Sequence, residues 1–237
     1  MRIAIFDIET SAIEGWTWGL WNQNVLGIKR DWELLSFAFK ELGKPGVTVY
    51  SRRTHTEQQL VAKLYKMYEN YDFLVGHNGD DFDIPKIRAK FLEFGFLPPA
   101  PNKSIDTLKL ARKYFQFSSN KLTDLCQKLS LGKKIETGGF DHWKKCMAGD
   151  VKAMLKMERY NKHDVVLTER LYKKLRPYIL NQPGISLART TGQCPHCQST
   201  SYNKNGLQHA VGLNGVITRI RLKCKGCGGY FLMKGPK

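Results

Sequence analysis

No stretch of the 237-residue chain is apolar for the ~20 residues that a membrane span requires. The N-terminal run MRIAIFDIET meets Asp7 and Glu9 too early to form a signal-peptide core, and a cytoplasmic protein is expected. Acid is scarce. The 21 Asp and Glu stand against 38 Lys and Arg, a formal charge of +17, so the folded chain attracts polyanions. Nucleic acid is the first partner to consider, with solubility alone the plainer explanation. Beyond residue 180 acid is missing altogether: residues 181–237 hold eight Lys or Arg, which leaves +9 on residues 1–180 and +8 on a tail less than a third as long. There is no internal repeat, which excludes a solenoid, and no low-complexity tract. The Gly138-Gly139 pair does not match a P-loop and reads as a turn. Only two of the six cysteines, Cys126 and Cys146, stand alone; the other four form two CxxC pairs, a pattern that favours metal over disulfides.

The run RPYILNQPGISLARTTGQ combines two prolines, a glycine and polar residues after the last long helical pattern, and marks a boundary near residue 180. Before it, RIAIFDI, WELLSFAFKEL and GVTVYSR read as three strands. Thr56 with Gln59 predicts a capping box opening a helix over EQQLVAKLYKMYENY. A short strand at DFLVGHN, a helix at IPKIRAKFLEFG with Pro85 in its first turn, a strand at KSIDT and helices near 107–116, 121–130 and 150–178 complete the order. Three successive strands followed by strands alternating with helices imply an α/β domain whose sheet is part antiparallel and part parallel.

Four acids stand where such a sheet exposes side chains. Asp7 and Glu9 end the first strand, and strand alternation puts residues two apart on one face. Asp83 opens a helix just after a strand. Asp164 follows Tyr160 by four residues, so a helix projects both on one side. A pair of hard divalent cations needs carboxylates from several elements, arranged like this. Singly, each acid has a bland reading as surface charge or helix cap.

The segments FDIET, GHNGDDFDIP and YNKHD resemble, in this order, the three motifs of the DEDD nucleases, whose fold is ribonuclease H-like. The patterns Asn78-x3-Phe82-Asp83-x-Pro85 and Tyr160-Asn161-x2-Asp164-Val165 are most similar to the proofreading domain of family B DNA polymerases. WGLWNQN, SIDTLKL, TGGFDHW and CMAGD, with a cysteine-rich tail, resemble its free-standing phage-type relatives. The resemblance implies that Asp7, Glu9, Asp83 and Asp164 bind two Mg²⁺ or Mn²⁺ ions and that Tyr160 positions the attacking water. It implies hydrolysis from the 3′ end with release of nucleoside 5′-monophosphates, and contacts from Thr10 and Asn78 to the terminal nucleotide. The histidine subtype carries His five residues before the last Asp; here that place is Arg159. His163 directly precedes Asp164 and points ~100° away around a helix, which leaves it a surface or phosphate contact. Single-stranded DNA is the favoured substrate. RNA, or a fold retained only to bind and recruit nucleic acid, remains open.

Trp16, Trp18 and Trp21, with Leu20, follow the first catalytic strand and either stack on bases or form a hydrophobic cluster under a loop. Residues 133–176 hold twelve Lys or Arg against six Asp or Glu, and Lys133, Lys134, Lys144 and Lys145 are candidates for backbone contacts. In the tail, CPHC and CKGC lie 26 residues apart, and Cys194, Cys197, Cys224 and Cys227 suit one structural Zn²⁺. GVITRIRLKC reads as hairpin strands, giving a zinc ribbon over 181–237, with His196 an alternative ligand. The expected architecture is therefore a ribonuclease H-like domain over 1–180, a mixed sheet flanked by helices, and a basic ribbon. The ribbon either binds nucleic acid or docks to a replication or recombination protein, in a bacterial or phage-infected cytoplasm.

Overall fold

The computed structural model describes residues 2–21, 23–179, 192–212 and 215–234. The boundary expected near residue 180 lies outside the described residues, as do Asn22, Arg189 and Lys237. The chain forms two compact units, one of Met1–Arg112 with Phe117–Arg170, the other of Lys113–Gln116 with Leu171–Lys237. Among the described residues no helix is long and apolar enough to cross a membrane.

The first unit is organised on β1 (Ile3–Thr10), whose residues from Ile3 to Phe6 are buried before the acids begin. A strand apolar on both faces belongs in the middle of a covered sheet. It pairs antiparallel with β4 (Leu34–Glu41), which pairs in turn with β5 (Thr48–Ser51). On its other side it pairs parallel with β6 (Phe73–Gly76), followed by β7 (Lys103–Asp106), so the five-stranded order is β5-β4-β1-β6-β7. The mixed sheet expected from the order of elements is present. A separate hairpin of β2 (Glu14–Trp16) and β3 (Gly27–Arg30) was not anticipated.

Helix α1 (Glu57–Glu69) carries the predicted capping box: the Gln59 N–H donates to Thr56 Oγ1 at 3.2 Å and the Thr56 N–H to Gln59 Oε1 at 2.9 Å. It buries Leu60, Val61, Leu64, Met67 and Tyr68, the single stripe of an amphipathic helix. These meet Phe6, Phe37, Leu74, Ile87 and Phe91 in the main core, Ile87 and Phe91 coming from α2 (Asp83–Glu93). Shorter helices α3 (Thr107–Tyr114), α4 (Leu122–Lys128) and α5 (Phe140–Met147) follow. The Gly138-Gly139 turn opens α5, with Gly139 at φ 68°, a conformation that penalises a Cβ. The pattern over 150–178 resolves into one 25-residue helix, α6 (Val151–Leu175), and a 3-10 turn at Arg176–Tyr178.

In the second unit β8 (Tyr202–Gly212), β9 (Gly215–Cys224) and β10 (Tyr230–Lys234) form an antiparallel sheet in the order β10-β9-β8. Its small core consists of Cys194, Leu222, Cys224 and Phe231, with Tyr202 edge-on to Phe231 at 5.4 Å.

Phe37 is fully buried, 6.1 Å from the ring of Phe39 and 5.4 Å from that of Tyr50. Phe37→Ala should therefore destabilise the first unit by ~3–5 kcal/mol, through lost transfer energy and the cavity left behind. Thr56→Ala should cost only ~1 kcal/mol, by loss of the cap. Denaturant unfolding of both variants tests the order of the two effects.

Candidate active site and metal centres

Asp7 and Glu9 stand two apart on β1, opposite Ala38 and Ser36 of β4, and so share one face. Asp164 reaches the same place from the middle of α6, and carboxylate oxygens of Asp7, Glu9 and Asp164 lie within 4.8 Å of one another. Asp83 stands outside this threesome. It is the first residue of α2, is 5 % exposed, and its Oδ1 accepts the Ile8 N–H at 3.1 Å, between the two β1 acids. The close turn that carries the chain from β6 to α2 depends on Gly76, where a Cβ would come within 3.3 Å of the Gly79 Cα.

The electrostatics follow from crowding like charges away from water. Burial first, then the charges of Glu9, Asp83 and Asp164, holds the Asp7 carboxyl well above the usual range. Burial, Asp164 and Asp83 push Glu9 to about 8. Burial takes Asp83 to about 7, against the opposing pull of the Ile8 N–H. Asp164 is raised by burial, with Lys134 working against the shift. The Lys134 ammonium lies 2.7 Å from Asp164 Oδ2 and 4.7 Å from the centre of the Tyr160 ring. Burial would lower its pKa, but Asp164 and hydrogen bonds to Asp164 and Tyr160 outweigh that and raise it. Burial and the Asp164 charge also raise the Tyr160 phenol, which remains protonated at neutral pH. Asp164 Oδ1 is buried without a hydrogen-bond partner. The Lys134 ammonium opposing three of these acids, with a carboxylate oxygen left unused, fits a donor set made for hard divalent cations.

Three neighbours set the positions of these groups. Asn161 Nδ2 donates to Asp7 Oδ2 at 2.7 Å and to the Asp7 carbonyl at 3.2 Å, while its Oδ1 accepts from Ser36 Oγ at 3.2 Å. Trp143 Nε1 donates to the Thr10 carbonyl at 3.2 Å, and its ring meets Tyr160 edge-on at 6.1 Å. His163 turns away from the acids: its Nε2 donates to the Lys133 carbonyl at 2.7 Å, so it anchors the segment that presents Lys134. The motif pattern assigns Asn161 no role, and Lys134, expected at a phosphate, pairs with Asp164. A Lys thirty positions from its partner leaves no local signal.

The remaining predicted contacts are dispersed. Thr10 lies at the end of β1 beyond a bulge, held by Trp143. Asn78 adopts φ 65°, and its N–H donates to Asp106 Oδ1 at 2.9 Å. Trp16 (63 %) and Trp18 (88 %) are exposed with Leu20 and Trp21, which excludes a buried cluster under the loop. Lys144 pairs with Asp141 at 2.5 Å on α5, and Lys145 beside it is exposed; neither joins the acids.

The four tail cysteines converge with their sulfurs within 4.8 Å of one another, Cys194 to Cys227 at 3.7 Å and Cys197 to Cys224 at 3.5 Å. The Gly226 N–H donates to Cys224 Sγ at 3.3 Å. Burial opposes ionisation of Cys224, but N–H groups of Cys227 and Gly226 and the neighbouring thiols lower its pKa to about 7. Four thiols with amide support suit a structural Zn²⁺. His196 is not among them: its Nε2 donates to the Tyr230 carbonyl at 3.1 Å.

Residues 4–176 match the profile of the RNase_H superfamily. A 124-residue stretch is 28 % identical to a PolC-type DNA polymerase III of Ureaplasma parvum serovar 3, covering 52 % of this chain and 8 % of that protein. Among solved structures, the family B DNA polymerase of the archaeon Pyrobaculum calidifontis superposes with a TM-score of 0.56 at 16 % identity, over 90 % of this chain and 32 % of that one, a likeness of fold. The chain thus spans a small part of either polymerase.

Two outcomes follow. The folded pKa values of Glu9 and Asp83 stand above their ordinary 4.5 and 3.8, so their contribution to stability is present at low pH and lost as pH rises through about 7 and 8. Without divalent cations the first unit should lose thermal stability across that window. Glu9→Gln should flatten the loss, and Mg²⁺ or Mn²⁺ should restore more stability at pH 8 than at pH 5; equal restoration at both would contradict the assignment. Chelation or Cys197→Ser should release one zinc and remove amide protection from residues 192–234, as read by hydrogen exchange.

Proposed function

The chain belongs to the ribonuclease H superfamily, and from that premise we propose that it is a metal-dependent 3′→5′ exonuclease acting on single-stranded DNA. The observation that carries the reading is the convergence of Asp7, Glu9 and Asp164 oxygens within 4.8 Å, from strand and helix positions far apart in sequence. Asp83, buried against the β1 backbone beside them, completes the set. Bound there, a pair of Mg²⁺ or Mn²⁺ ions would supply Lewis acidity toward a phosphodiester and make water acidic enough to act as nucleophile at neutral pH.

The chain's own groups do the rest. Asp7 and Glu9 face the site from one strand, with Asn161 fixing the Asp7 rotamer. The Tyr160 hydroxyl, kept protonated, orients the attacking water by a hydrogen bond; it is a poor proton acceptor. Water attacks the 3′-terminal phosphorus, the bond to the 3′ oxygen of the preceding nucleotide breaks, and a nucleoside 5′-monophosphate leaves together with a shortened strand ending in a 3′ hydroxyl. By the motif resemblance Thr10 and Asn78 would hold the terminal nucleotide, and the exposed Trp16 and Trp18 offer stacking faces. DNA is favoured over RNA by the motif resemblance and because the two similar proteins are DNA polymerases by name. We assign the ribbon over 181–237, outside the nuclease domain of 1–180, to nucleic-acid binding, and place the protein in the cytoplasm.

The test is incubation of 5′-labelled single-stranded DNA and RNA with Mg²⁺ or Mn²⁺. DNA should shorten from its unlabelled end with release of mononucleotides. Asp7→Ala and Asp164→Ala should be inactive, and Tyr160→Phe should be slowed by ~10²-fold through loss of water positioning. Both strands remaining intact would reduce the protein to a binding module, and degradation of RNA alone would reverse the choice of sugar.

A further inference from the structure

We propose that the exposed face of the β8-β9-β10 sheet is a binding surface for single-stranded nucleic acid, with Arg219, Arg221 and Lys223 on successive phosphates and Tyr230 against a base. It rests on the reading of nucleic acid as the substrate, and it places a specific site where that reading named only a module.

The argument begins with alternation along β9. Leu222 and Cys224 are buried in the ribbon core, so Arg221 and Lys223 turn to the opposite face, where both are exposed. Arg219 shares that face by the same two-residue period. Cross-strand register extends it: Lys223 is opposite Asn203 of β8 and Tyr230 of β10, Arg221 is opposite Leu232, and Arg219 is opposite Gln208. Asn203 and Gln208 are exposed, and Tyr230 is 40 % exposed next to the buried Phe231. One side of the sheet therefore carries the apolar core with Cys194 and Cys224, and the other carries cations, amides, Leu232 and one aromatic ring.

Two of the cations are held in place. Arg221 Nε donates to the Asn205 carbonyl at 2.8 Å, at the bulge between Lys204 and Leu207, where Gly206 takes φ +84°. The Lys223 ammonium stands 5.5 Å from the centre of the Tyr230 ring. Residues 181–237 contain no Asp or Glu, so the ribbon has no carboxylate to pair with them. Cations two residues apart on a strand are ~6.6–6.8 Å apart, a spacing that suits successive phosphates of an extended strand. A positive row beside an aromatic ring binds single strands without reading sequence, phosphates on the row and a base on the ring. An acidic polypeptide would answer the charge but has no use for the ring and amides.

The experiment uses the full chain carrying Asp7→Ala, so that bound strands are not consumed, and measures affinity for oligothymidylate and oligouridylate across a salt series. Arg219→Ala/Arg221→Ala/Lys223→Ala should flatten the plot of log affinity against log salt by about 2, since each phosphate contact to a single strand contributes ~0.7 to the slope. Arg219→Lys/Arg221→Lys/Lys223→Arg should retain it. Tyr230→Leu should weaken binding about tenfold with the slope unchanged. Retention of one zinc per chain certifies that each variant is folded. Unchanged slope and affinity in the triple alanine protein would overturn the proposal, as would preference for polyglutamate over both oligonucleotides, which would give the face to a protein partner. Equal loss for both strands fits recognition of shared phosphate chemistry, and loss for one alone fits a surface that also senses the sugar. Failure of the nuclease reading would appear elsewhere, as intact DNA and RNA after incubation with the unsubstituted protein, and would leave this binding measurement standing.

Discussion

Carboxylates forced together away from water are the constraint on which the first unit is built. Asp7, Glu9 and Asp164 sit within 4.8 Å of one another, with Asp83 close enough to raise the pKa of Asp7 and Glu9. Such an arrangement opposes folding, and only a core well secured elsewhere tolerates it. The security comes from the apolar half of β1, buried from Ile3 to Phe6 between paired neighbours, and from the α1 and α2 residues packed on it. The same strand is core at one end and site at the other. That division lets two acids project from a backbone whose position is set by packing.

Lys134 shows how the protein manages the imbalance. Its ammonium meets one of the acids and lies over the Tyr160 ring, partial compensation for the crowding. Divalent cations would compete with it for Asp164, so the lysine and the ions answer the same electrostatic need. The ribbon solves a related problem by different means. It has too few apolar side chains for a large core, and four sulfurs converge where a bigger domain would place hydrophobic residues.

The architecture of the first unit was largely legible because its signals are local. The apolar run of β1, the Thr56–Gln59 box and the Asp7–Glu9 pair toward the end of β1 each lie within a few residues. The β2-β3 hairpin was not, since three- and four-residue strands owe their form to each other and carry no periodicity. Helix α5 was not anticipated, because it opens on a glycine at φ 68° with no side-chain cap, although the turn at Gly138-Gly139 that precedes it was. Composition could not say whether Trp16 and Trp18 were buried or exposed. Asn161 and Lys134 escaped for one reason: their partners, Asp7 and Asp164, are 154 and 30 positions away, and only the fold brings them near. The CxxC pairs, in contrast, declared their partners by spacing alone.

Helix α6 assigns different tasks to neighbouring residues by angle. Tyr160 and Asp164 face the site, Asn161 braces β1, and His163 fastens the Lys133 carbonyl. Each residue step turns ~100°, so gaining or losing a single position between Tyr160 and Asp164 would reassign every one of these duties at once. The length of this stretch is therefore as constrained as the residues that carry these duties. The helix sets a ruler that any descendant of the chain must keep.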